Sequence, residues 1–447
     1  MNIKQVILSN ISRMPAWVNR VLLVFNRFPR LVYGQRCVAI ANSSAFSVSQ
    51  KNTLEKTLSS IVNHSIEHVP AYRNRYQGCL INSLSDFQST IDFIDKDIVM
   101  SEWNEFIQDD LDLNDFTKGT TGGTSGKPLQ LLMTNDRHIV ELGAVHSFWK
   151  RFGYQYDCRA VLRNHRLDKG YLINPITKEF IFDGFDLSND NFEIIYKTMK
   201  QYGIKFLQCY PSSGYEFSRF LKRKKYDVSF IEAFFVSSEN VQDYHRAAAK
   251  ELGINYFSLY GHSEKLVLAG SCPYSDYYHI VSDYGYVELV DEANQVISEE
   301  GKIGEIVGTT LNNPGFPLIR YKTGDHSEYI NIDCKCGYKG YAFKTIYGRW
   351  NGDKVFNTDD SFVTTTALNL HNELYSVIDG LQYVQNKKGE LTVNVIPGDG
   401  YNDDYRQKIQ RHFQSKLNDS TVVTINSVDT LVRQKNGKFL LLLSDVA

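Results

Sequence analysis

The spacing of apolar and polar residues along the chain changes near residue 284. The spacing predicts helices at residues 191–202, 215–225 and 241–252, and strands at 205–210, 230–236 and 256–260. A further short apolar run at 129–133 precedes a helix that begins near His138. Strands separated by helices of about 10–12 residues favour parallel pairing with crossover helices. The middle of the chain is therefore predicted to be α/β.

After residue 284 the pattern is typical of hairpins, and it changes again after Gly348. Strand-like runs occur at 286–290, 303–311 and 319–323, then at 381–385, 391–396 and 422–428. Between the last two of these runs, Tyr405, Ile409, Phe413 and Leu417 lie four apart on one face of a predicted helix at 405–417. We expect a large N-terminal domain at 1–348 and a small α+β domain at 349–447.

Composition and charge place the chain among ordinary soluble globular proteins. Of 447 residues, 42% are hydrophobic and 22% charged, and 49 Lys+Arg against 51 Asp+Glu give a net charge of −2. This balance argues against a protein that mainly grips nucleic acid, and the apolar content argues against disorder. The 28 Tyr and 26 Phe suit cores and clefts alike.

Seven cysteines, an odd and small number, make a disulfide scaffold improbable. Cys37, Cys79, Cys158 and Cys209 are isolated, and we interpret them as small buried hydrophobic residues. Residues 16–33 form the one membrane-like segment, but three arginines and a proline interrupt it. A helix packed on the domain is the simpler interpretation, and weak peripheral membrane contact stays open. A cytoplasmic location is expected.

Residues 121–128, Thr-Gly-Gly-Thr-Ser-Gly-Lys-Pro, form the first segment with a chemical signature. Glycines let backbone N–H groups approach phosphate oxygens, and the hydroxyls and the lysine complete an anion cradle. The segment differs from the GxxxxGK[ST] loop because Pro128 follows Lys127. Taken alone, it is equally consistent with a plain turn.

Four further segments carry candidate chemistry. Residues 260–264, Tyr-Gly-His-Ser-Glu, follow a predicted strand, where ligands collect in parallel sheets, although a strand-ending turn is an equal alternative. Residues 317–325 end in Gly-Asp, whose carboxylate could accept two hydrogen bonds from a ribose diol. Gly348-Arg349 and Gly437-Lys438 are weak signals on their own.

The order of these segments resembles the adenylate-forming (AMP-binding) superfamily, which includes acyl-CoA synthetases, aryl-CoA ligases and adenylation domains. Within it, the YGHSE form, residues 301–325, the following CKCG and residues 380–385 resemble the phenylacetate–CoA ligase group and its capsular-polysaccharide (CapK-like) branch. The resemblance implies the fold of these enzymes: a large N-terminal domain of parallel and mixed sheets with a β-rich part, and a mobile C-terminal lid.

The resemblance also implies roles for individual residues. ATP phosphates would meet Thr121, Gly122, Gly123, Thr124, Ser125, Gly126 and Lys127. Tyr260 would lie against adenine beside Gly261 and Ser263, Glu264 would bind Mg²⁺, and Asp325 would bind the ribose. Arg349 would contact ribose or phosphate, and Lys438 would bridge the carboxylate and the α-phosphate, where negative charge builds up during attack.

Some positions depart from the family pattern or are read less directly. An acidic hinge residue usually follows the Gly-Arg pair closely, and here Asp353 lies one or two positions further on. His262 lines the acyl pocket or is simply a packed histidine. Tyr210, Phe235, Ser237 and Ser238 fall at predicted strand ends near the acyl site, and each could equally serve packing or a turn.

Cys272, His279, Cys334 and Cys336 form a Cys₃His set suited to a closed tetrahedral zinc site. The long gap between His279 and Cys334 weakens the spacing signal, so reduced cysteines and a surface histidine are the alternative. The resemblance strengthens the prediction of structural Zn²⁺.

The implied activity is carboxylate activation by ATP and Mg²⁺ to an acyl-adenylate, followed by acyl transfer. In the CapK-like branch the acceptor is an amine and the setting is bacterial capsular or O-antigen polysaccharide biosynthesis. The alternative is an aryl- or acyl-CoA ligase that forms a thioester with CoA. A catalytically degenerate nucleotide-binding assembly protein is a minor alternative. The expected partners are small molecules, with no nucleic acid.

Overall fold

A computed structural model describes most of the chain. The described residues are 18, 23, 29–43, 51–121, 129–163, 165–167, 170–348, 353–368, 370, 374, 377–432 and 440–446. They form a mixed α/β fold, as the pattern predicts, with one large sheet and several smaller ones. In this part of the chain, no helix combines the length and the apolar character needed to cross a membrane. Most of residues 16–33 lies outside it.

The helices alternate with strands mainly in the first two thirds of the chain. The described α-helices are α1 (Pro29–Asn42), α2 (Lys51–His68), α3 (Pro70–Tyr76), α4 (Leu84–Thr90), α5 (Lys96–Ser101), α6 (Arg137–Lys150), α7 (Asn189–Tyr202), α8 (Pro211–Lys224), α9 (Asp243–Lys250), α10 (Thr365–Leu368) and α11 (Asp403–Gln414). Short 3₁₀ helices occur at Trp103–Phe106 and Leu113–Asp115.

The strands are numbered in chain order. They are β1 (Phe116–Thr120), β2 (Gln130–Thr134), β3 (Arg159–Leu162), β4 (Tyr171–Asn174), β5 (Glu179–Phe182), β6 (Phe206–Cys209), β7 (Ala233–Ser237), β8 (Asn255–Gly261), β9 (Leu268–Cys272), β10 (Ser275–Ile280), β11 (Gly285–Val290), β12 (Ile303–Thr310), β13 (Tyr321–Asp333), β14 (Lys339–Tyr347), β15 (Lys354–Phe356), β16 (Phe362–Thr364), β17 (Ile378–Lys387), β18 (Glu390–Pro397), β19 (Val422–Ser427) and β20 (Leu442–Ser444).

The central sheet has the strand order β11-β12-β13-β14-β10-β9-β8-β7-β6-β3-β5-β4. Strands β5, β3, β6, β7 and β8 pair in parallel in this order. From β8 onward the pairs β8–β9, β9–β10, β10–β14, β14–β13, β13–β12 and β12–β11 are antiparallel, as is the pair β5–β4. The predicted parallel region with crossover helices is thus confirmed. The carboxyl ends of β3, β6, β7 and β8 meet at one edge, the place where α/β sheets bind ligands.

The crossover helices form because their sequences carry clear start and stop signals. Ser188 caps α7 by accepting a hydrogen bond from the Asn191 backbone N–H, and the helix ends at Gly203 with a φ of 61°. Pro211 begins α8 in the first turn, where a missing N–H costs nothing. Helix α8 therefore starts four residues earlier than the apolar spacing alone predicts.

Each face of the parallel strands is covered by a different layer. On β7, Phe234 and Val236 belong to the hydrophobic cluster shared with α7 and α8. Ala233 and Phe235 point the other way, into a second cluster that contains Trp149 of α6. This alternation follows from the two-residue period of a strand. Helix α6 thereby covers the face on which the candidate site lies.

A separate four-stranded sheet, β19-β18-β17-β20, is built from residues after 377. Helix α11 packs on it through buried Ile409 and Phe413. The helix ends at Gln414, three residues earlier than predicted, and Leu417 lies beyond it but is buried in the same cluster. Tyr405 is partly buried against this cluster. The division into domains at 348/349 stays a prediction.

One expectation about the isolated cysteines is wrong. Cys37 and Cys209 are buried, but Cys79 is exposed and Cys158 is only partly buried. Cys79 follows the turn after α3, and Cys158 lies in the segment just before β3, outside the strand itself.

Candidate active site

A cavity of about 650 Å³ opens at the carboxyl ends of β3, β6, β7 and β8 and descends between α6 and the sheet. Every sequence-predicted site residue of the nucleotide and acyl regions that the structure describes lines it. These residues are Thr121, Tyr210, Phe235, Ser237, Ser238, Tyr260, Gly261, His262, Ser263, Glu264 and Asp325. Segments more than 200 residues apart in sequence thus meet around one space. Their individual roles remain predictions.

Several predicted residues fall where the structure gives no description. These are Gly122, Gly123, Thr124, Ser125, Gly126, Lys127, Arg349 and Lys438. For each of the three segments that hold them, residues flanking the segment are described. These flanks are informative about how the chain is anchored.

The residues on either side of the glycine-rich segment are hydrogen-bonded to each other. Strands β1 and β2 pair in antiparallel register up to Thr120 and Gln130. Beyond this pair, the Thr121 backbone N–H donates to the Leu129 carbonyl at 3.0 Å, and the Leu129 N–H donates to Thr121 Oγ1 at 2.9 Å. The hydroxyl of Thr121 therefore serves the loop's anchorage in this structure, at the edge of the cavity.

Two of the predicted nucleotide residues are hydrogen-bonded to each other. Tyr260 Oη donates to Asp325 Oδ2 at 3.0 Å, and both side chains are buried. Asp325 follows Gly324, whose φ of 75° occurs where the pairing of β13 with β12 is irregular. A glycine is suited to this position because other residues rarely adopt such a φ. The Tyr260 hydroxyl fixes the orientation of the carboxylate and leaves Asp325 Oδ1 nearest to Gly348.

Glu264 is held between two side chains. Its Oε1 accepts from the Tyr321 hydroxyl at 3.2 Å, and its Oε2 lies 2.9 Å from His262 Nδ1. These two contacts fix the orientation of the carboxylate at the cavity wall. With Nδ1 donating to Glu264, the Nε2 atom of His262 is the remaining ring nitrogen, and it has no hydrogen-bond partner among the described residues.

Gly348, the residue before Arg349, forms part of the cavity wall. Asn240 Nδ2 donates to the Gly348 carbonyl at 2.9 Å. A Cβ atom at position 348 would come within 2.7 Å of Asn240 Oδ1, so only glycine fits without a shift. The neighbouring Glu239 is deeply buried; this burial raises the pKa of its carboxyl, which accepts from the Ser212 N–H at 3.0 Å.

Sequence reasoning missed several residues that shape the cavity. Arg163 donates to Ser237 Oγ at 2.9 Å and to Ser238 Oγ at 3.2 Å, which explains why these two hydroxyls lie at the cavity edge. Lys265 pairs with Glu141 at 2.6 Å. Single charged residues such as these belong to no motif, and the spacing of apolar residues gives no signal for them.

The floor of the cavity contains a buried polar layer that sequence reasoning also missed. Arg159, at the start of β3, forms an ion pair with Glu179 and donates from Nε to Gln208 Oε1 at 3.0 Å. Beside it, the Trp149 and Phe235 rings stack at 4.6 Å with an angle of 7°. The sequence signal that could have revealed this layer was the presence of charged and amide residues in otherwise apolar strand segments.

The four predicted metal ligands converge behind the hairpin region. Their ligand atoms all lie within 4.8 Å of one another, with Cys272 Sγ 3.5 Å from Cys334 Sγ and Cys336 Sγ 3.6 Å from His279 Nδ1. A Zn–S length of ~2.3 Å places tetrahedral ligand atoms roughly 3.8 Å apart. The donor set and spacing therefore fit a closed zinc site.

The surroundings of this Cys₃His cluster favour negative charge. Hydrogen bonds from Cys272 and then His279 lower the pKa of Cys336, and Arg151 Nη1 donates to Cys336 Sγ at 3.0 Å. Three thiolates around a divalent ion leave a net negative charge, which a guanidinium stabilises. The His279 ring is fixed by stacking on Tyr338 at 4.4 Å.

In the C-terminal part, one buried side chain holds both ends of the segment that contains Lys438. Gln382 Nε2 donates to the Val432 carbonyl at 2.9 Å and to the Leu440 carbonyl at 2.8 Å, while its Oε1 accepts from the Val432 N–H at 3.1 Å. We call this arrangement the Gln382 clamp. The predicted hinge residue Asp353 is exposed, and its carbonyl accepts from the Thr365 N–H at 2.8 Å.

Comparison with known proteins identifies relatives for two parts of the chain. Residues 356–445 match the model of the CapK C-terminal domain family. The phenylacetate-coenzyme A ligase of Pseudomonas putida is 28% identical over 103 residues, covering 22% of this chain and 24% of that protein. The Thermus thermophilus enzyme of the same name is 38% identical over 71 residues, covering 16% of each chain. These alignments thus span about a quarter or less of the two relatives.

Solved structures extend the likeness to most of the chain at the level of the fold. A 2-hydroxyisobutyryl-CoA ligase, in complex with 2-HIB-AMP and CoA, superimposes with a TM-score of 0.58 at 16% identity, covering 89% of this chain and 90% of that one. The same ligase in its postadenylation state gives 0.54 at 14% identity over the same shares. Residues 356–445 therefore match the CapK C-terminal domain family, other parts of the chain are similar to phenylacetate-coenzyme A ligases, and the fold is that of the 2-hydroxyisobutyryl-CoA ligase.

Proposed function

We propose that this protein is an ATP- and Mg²⁺-dependent ligase that activates a carboxylic acid as its acyl-adenylate and then transfers the acyl group. The observation that carries the proposal is the convergence of Tyr260, Glu264 and Asp325, with Thr121 at the edge, around a single cavity. The Tyr260–Asp325 and Tyr321–Glu264 hydrogen bonds connect strands β8 and β13. Such fixed groups are suited to positioning a nucleotide.

In the first step, a carboxylate oxygen of the substrate attacks the α-phosphorus of ATP, and the bond to the bridging oxygen of the β-phosphate breaks, releasing pyrophosphate. Asp325 would accept the ribose hydroxyls, and Tyr260 would lie against adenine. Residues 121–127 would hold the β- and γ-phosphates. Arg349 and Lys438 would stabilise the charge that develops at the α-phosphate.

Magnesium would bind at Glu264 and would neutralise phosphate charge. The carboxylate fits this use because it lines the cavity, supplies the oxygen ligands that Mg²⁺ prefers and is held in place by Tyr321 and His262.

In the second step, an acceptor nucleophile attacks the acyl carbon, and AMP leaves with the electron pair of the broken C–O bond. We infer an amine acceptor, and hence amide formation in bacterial capsular or O-antigen polysaccharide synthesis, because residues 356–445 match a CapK family. CoA, which would give a thioester, is the second candidate, favoured by the phenylacetate-coenzyme A ligase relatives. A C-terminal lid at 349–447, turning about Asp353, would rearrange the site between the two steps.

The test of the first step is carboxylate-dependent ATP–pyrophosphate exchange over a broad panel of acids. Exchange with at least one acid is expected, and Lys438→Ala should lower it by at least 100-fold. Exposed Lys387→Ala is the matched control. Binding of ATP without exchange by any acid would instead favour a degenerate nucleotide-binding protein.

A second measurement identifies the acceptor. Acyl-adenylate formed in the enzyme is offered either an amine or CoA, and the products are analysed by mass spectrometry together with the loss of free CoA thiol. Amide formation without thiol loss supports the polysaccharide-type reaction. Thiol loss that depends on the acid supports the CoA ligase.

We also propose that Cys272, His279, Cys334 and Cys336 bind structural zinc, which would tie β9 and β10 to the turn between β13 and β14. Metal analysis after exhaustive dialysis should find one zinc per chain. Cys334→Ser should lower both zinc content and the melting temperature, whereas Cys79→Ser, at an exposed isolated thiol, should change neither. Metal-free protein with an unchanged melting temperature would reject the site.

A further inference from the structure

The cavity continues well below the predicted nucleotide residues, and its lower part has a chemistry of its own. We propose that the acid activated here has an apolar, ring-sized middle and a hydrogen-bond acceptor at its far end, which Gln208 receives at the cavity floor. This inference rests on the proposed adenylate-forming function and names the class of its acid substrate.

The pairing register fixes the depth of the floor. Gln208 pairs with Phe235, and Phe235 pairs with Phe257, so the three side chains lie at one level on the same face. Tyr260 lies three residues further along β8, roughly 10 Å higher at ~3.3 Å per residue. Because no predicted nucleotide residue lies at the floor level, this part of the cavity is available for the acyl group.

The charged residues of the floor are already satisfied. Arg159 donates to Gln208 Oε1 from Nε, to the Tyr154 hydroxyl and the Thr177 carbonyl from Nη1, and to Glu179 Oε1 from Nη2. Glu179 Oε2 accepts from Thr177 Oγ1 at 2.6 Å and from Asn174 Nδ2 at 3.2 Å. Their charges therefore cancel each other and do not call for a charged ligand.

Gln208 differs from these residues because only half of its amide is used. Its oxygen must face Arg159, since a guanidinium only donates. The amide nitrogen is thereby turned away from Arg159, and it donates to no residue in the described part of the chain. Gln208 lines the cavity and is only partly buried. A fixed N–H donor in such a place selects a ligand with an acceptor.

The walls around Gln208 are aromatic and aliphatic up to the level of Ser237, which lies two residues beyond Phe235 on β7 and accepts from Arg163. Phe235 stacks on Trp149, and Val145, Leu142 and Leu259 complete the apolar lining. A substrate with polar groups in its middle would leave them without partners there, which is costly. The walls and the floor together require an acid that is apolar between its carboxyl group and its far end.

The experiment compares matched acids in ATP–pyrophosphate exchange. One acid is 3-(4-acetylphenyl)propanoate, whose carbonyl is an acceptor; the other is 3-(4-isopropylphenyl)propanoate, which has the same shape without it. Wild-type kcat/KM should favour the acetyl acid by roughly 10- to 100-fold. Gln208→Glu keeps an acceptor for Arg159 but removes the donor, so the preference should vanish, and Gln208→Leu should reverse it. Exposed Gln201→Leu should leave it unchanged.

The outcomes separate the two proposals. Exchange with both acids at equal kcat/KM, or a preference that survives Gln208→Glu, would overturn the role of Gln208 while the ligase function stands. No exchange with any acid would overturn the function and this inference with it. The wild-type ratio decides alone if a variant fails to fold, and thermal melting identifies such a variant.

Discussion

The mouth and the floor of the cavity are built in opposite ways. At the mouth, the carboxylates of Glu264 and Asp325 line the cavity, and hydrogen bonds from Tyr321 and Tyr260 hold them in place. At the floor, Arg159 and Glu179 begin strands β3 and β5 and form an ion pair with each other. The mouth therefore presents negative charge to the cavity, whereas the charges of the floor neutralise one another.

This difference has a kinetic consequence under the proposed function. The mouth would contact the nucleotide, which is the same in every reaction, so its loss should slow exchange equally with all acids. The floor would contact only the variable part of the acid, so its substitution should change the ratio of kcat/KM between acids. Each prediction below tests one side of that contrast.

The largest effect is expected for Asp325→Ala, at the mouth. Removing the carboxylate takes away the proposed ribose acceptor and leaves the buried Tyr260 hydroxyl without its partner. We expect kcat/KM for ATP to fall about 100-fold or more, because hydrogen bonds to charged groups are the strong ones. The fall should be the same for every acid in the exchange assay.

The matched control is Asp333→Ala, on the same strand β13 but exposed and paired with exposed Lys339. It should leave exchange and the melting temperature unchanged, because exposed ion pairs contribute little. An Asp325 variant that discriminated between acids would contradict the assignment of the mouth to the nucleotide.

The next largest effect concerns the Gln382 clamp, which anchors the segment with Lys438. Gln382→Leu removes the three hydrogen bonds by which a fully buried side chain holds the Val432 and Leu440 backbone groups. We expect exchange to fall about 10-fold with all acids, since the proposed catalytic Lys438 lies between the two anchored positions, Val432 and Leu440. Stopped-flow or steady-state exchange measures this.

Gln407→Leu, on the exposed face of α11, is the control for the clamp. An equal fall in Lys438→Ala and in the double variant Lys438→Ala/Gln382→Leu would show that the clamp acts through Lys438. Additive losses would instead assign Gln382 to general stability, because independent sites contribute additively.

Phe235→Ala tests the other half of the comparison, the floor of the cavity. The change removes the ring that stacks on Trp149 and enlarges the cavity. Stability should drop by about 3–5 kcal/mol, the usual range for a buried Phe→Ala change. KM for ATP should stay the same, while acids with bulkier middles gain several-fold in kcat/KM over smaller ones. A raised KM for ATP, with unaltered acid preference, would contradict the assignment of the cavity floor to the acid.

The residues at the mouth of the cavity could be proposed from the sequence, whereas those at its floor could not, and the reason is physical. Tyr260 and Asp325 each lie in a strand next to a glycine, Gly261 and Gly324, and the short motifs around these glycines are recognisable in the sequence. Arg159 and Gln208 meet only because β3 and β6 pair in parallel, with Val161 beside Gln208. That contact depends on register between segments almost 50 residues apart, which a single sequence does not reveal.

The same distinction between local sequence patterns and tertiary contacts explains which parts of the fold could be predicted. The parallel region followed from helix and strand spacing, and the helix at 405–417 from its apolar face. The start of α8 at Pro211 and the exposure of Cys79 depended on capping and on tertiary cover, which the spacing of apolar residues does not contain.

The smallest effect is expected for Tyr260→Phe, which keeps the ring and removes only the hydroxyl that donates to Asp325. Asp325 would retain its charge but lose one orienting bond, a change of about 1 kcal/mol, so KM for ATP should rise roughly fivefold. Exposed Tyr244→Phe serves as the control. Because the ring remains in place, kcat should change little and the acids should keep their order. A rise confined to one acid would place Tyr260 on the acyl side of the cavity and would break the division between mouth and floor.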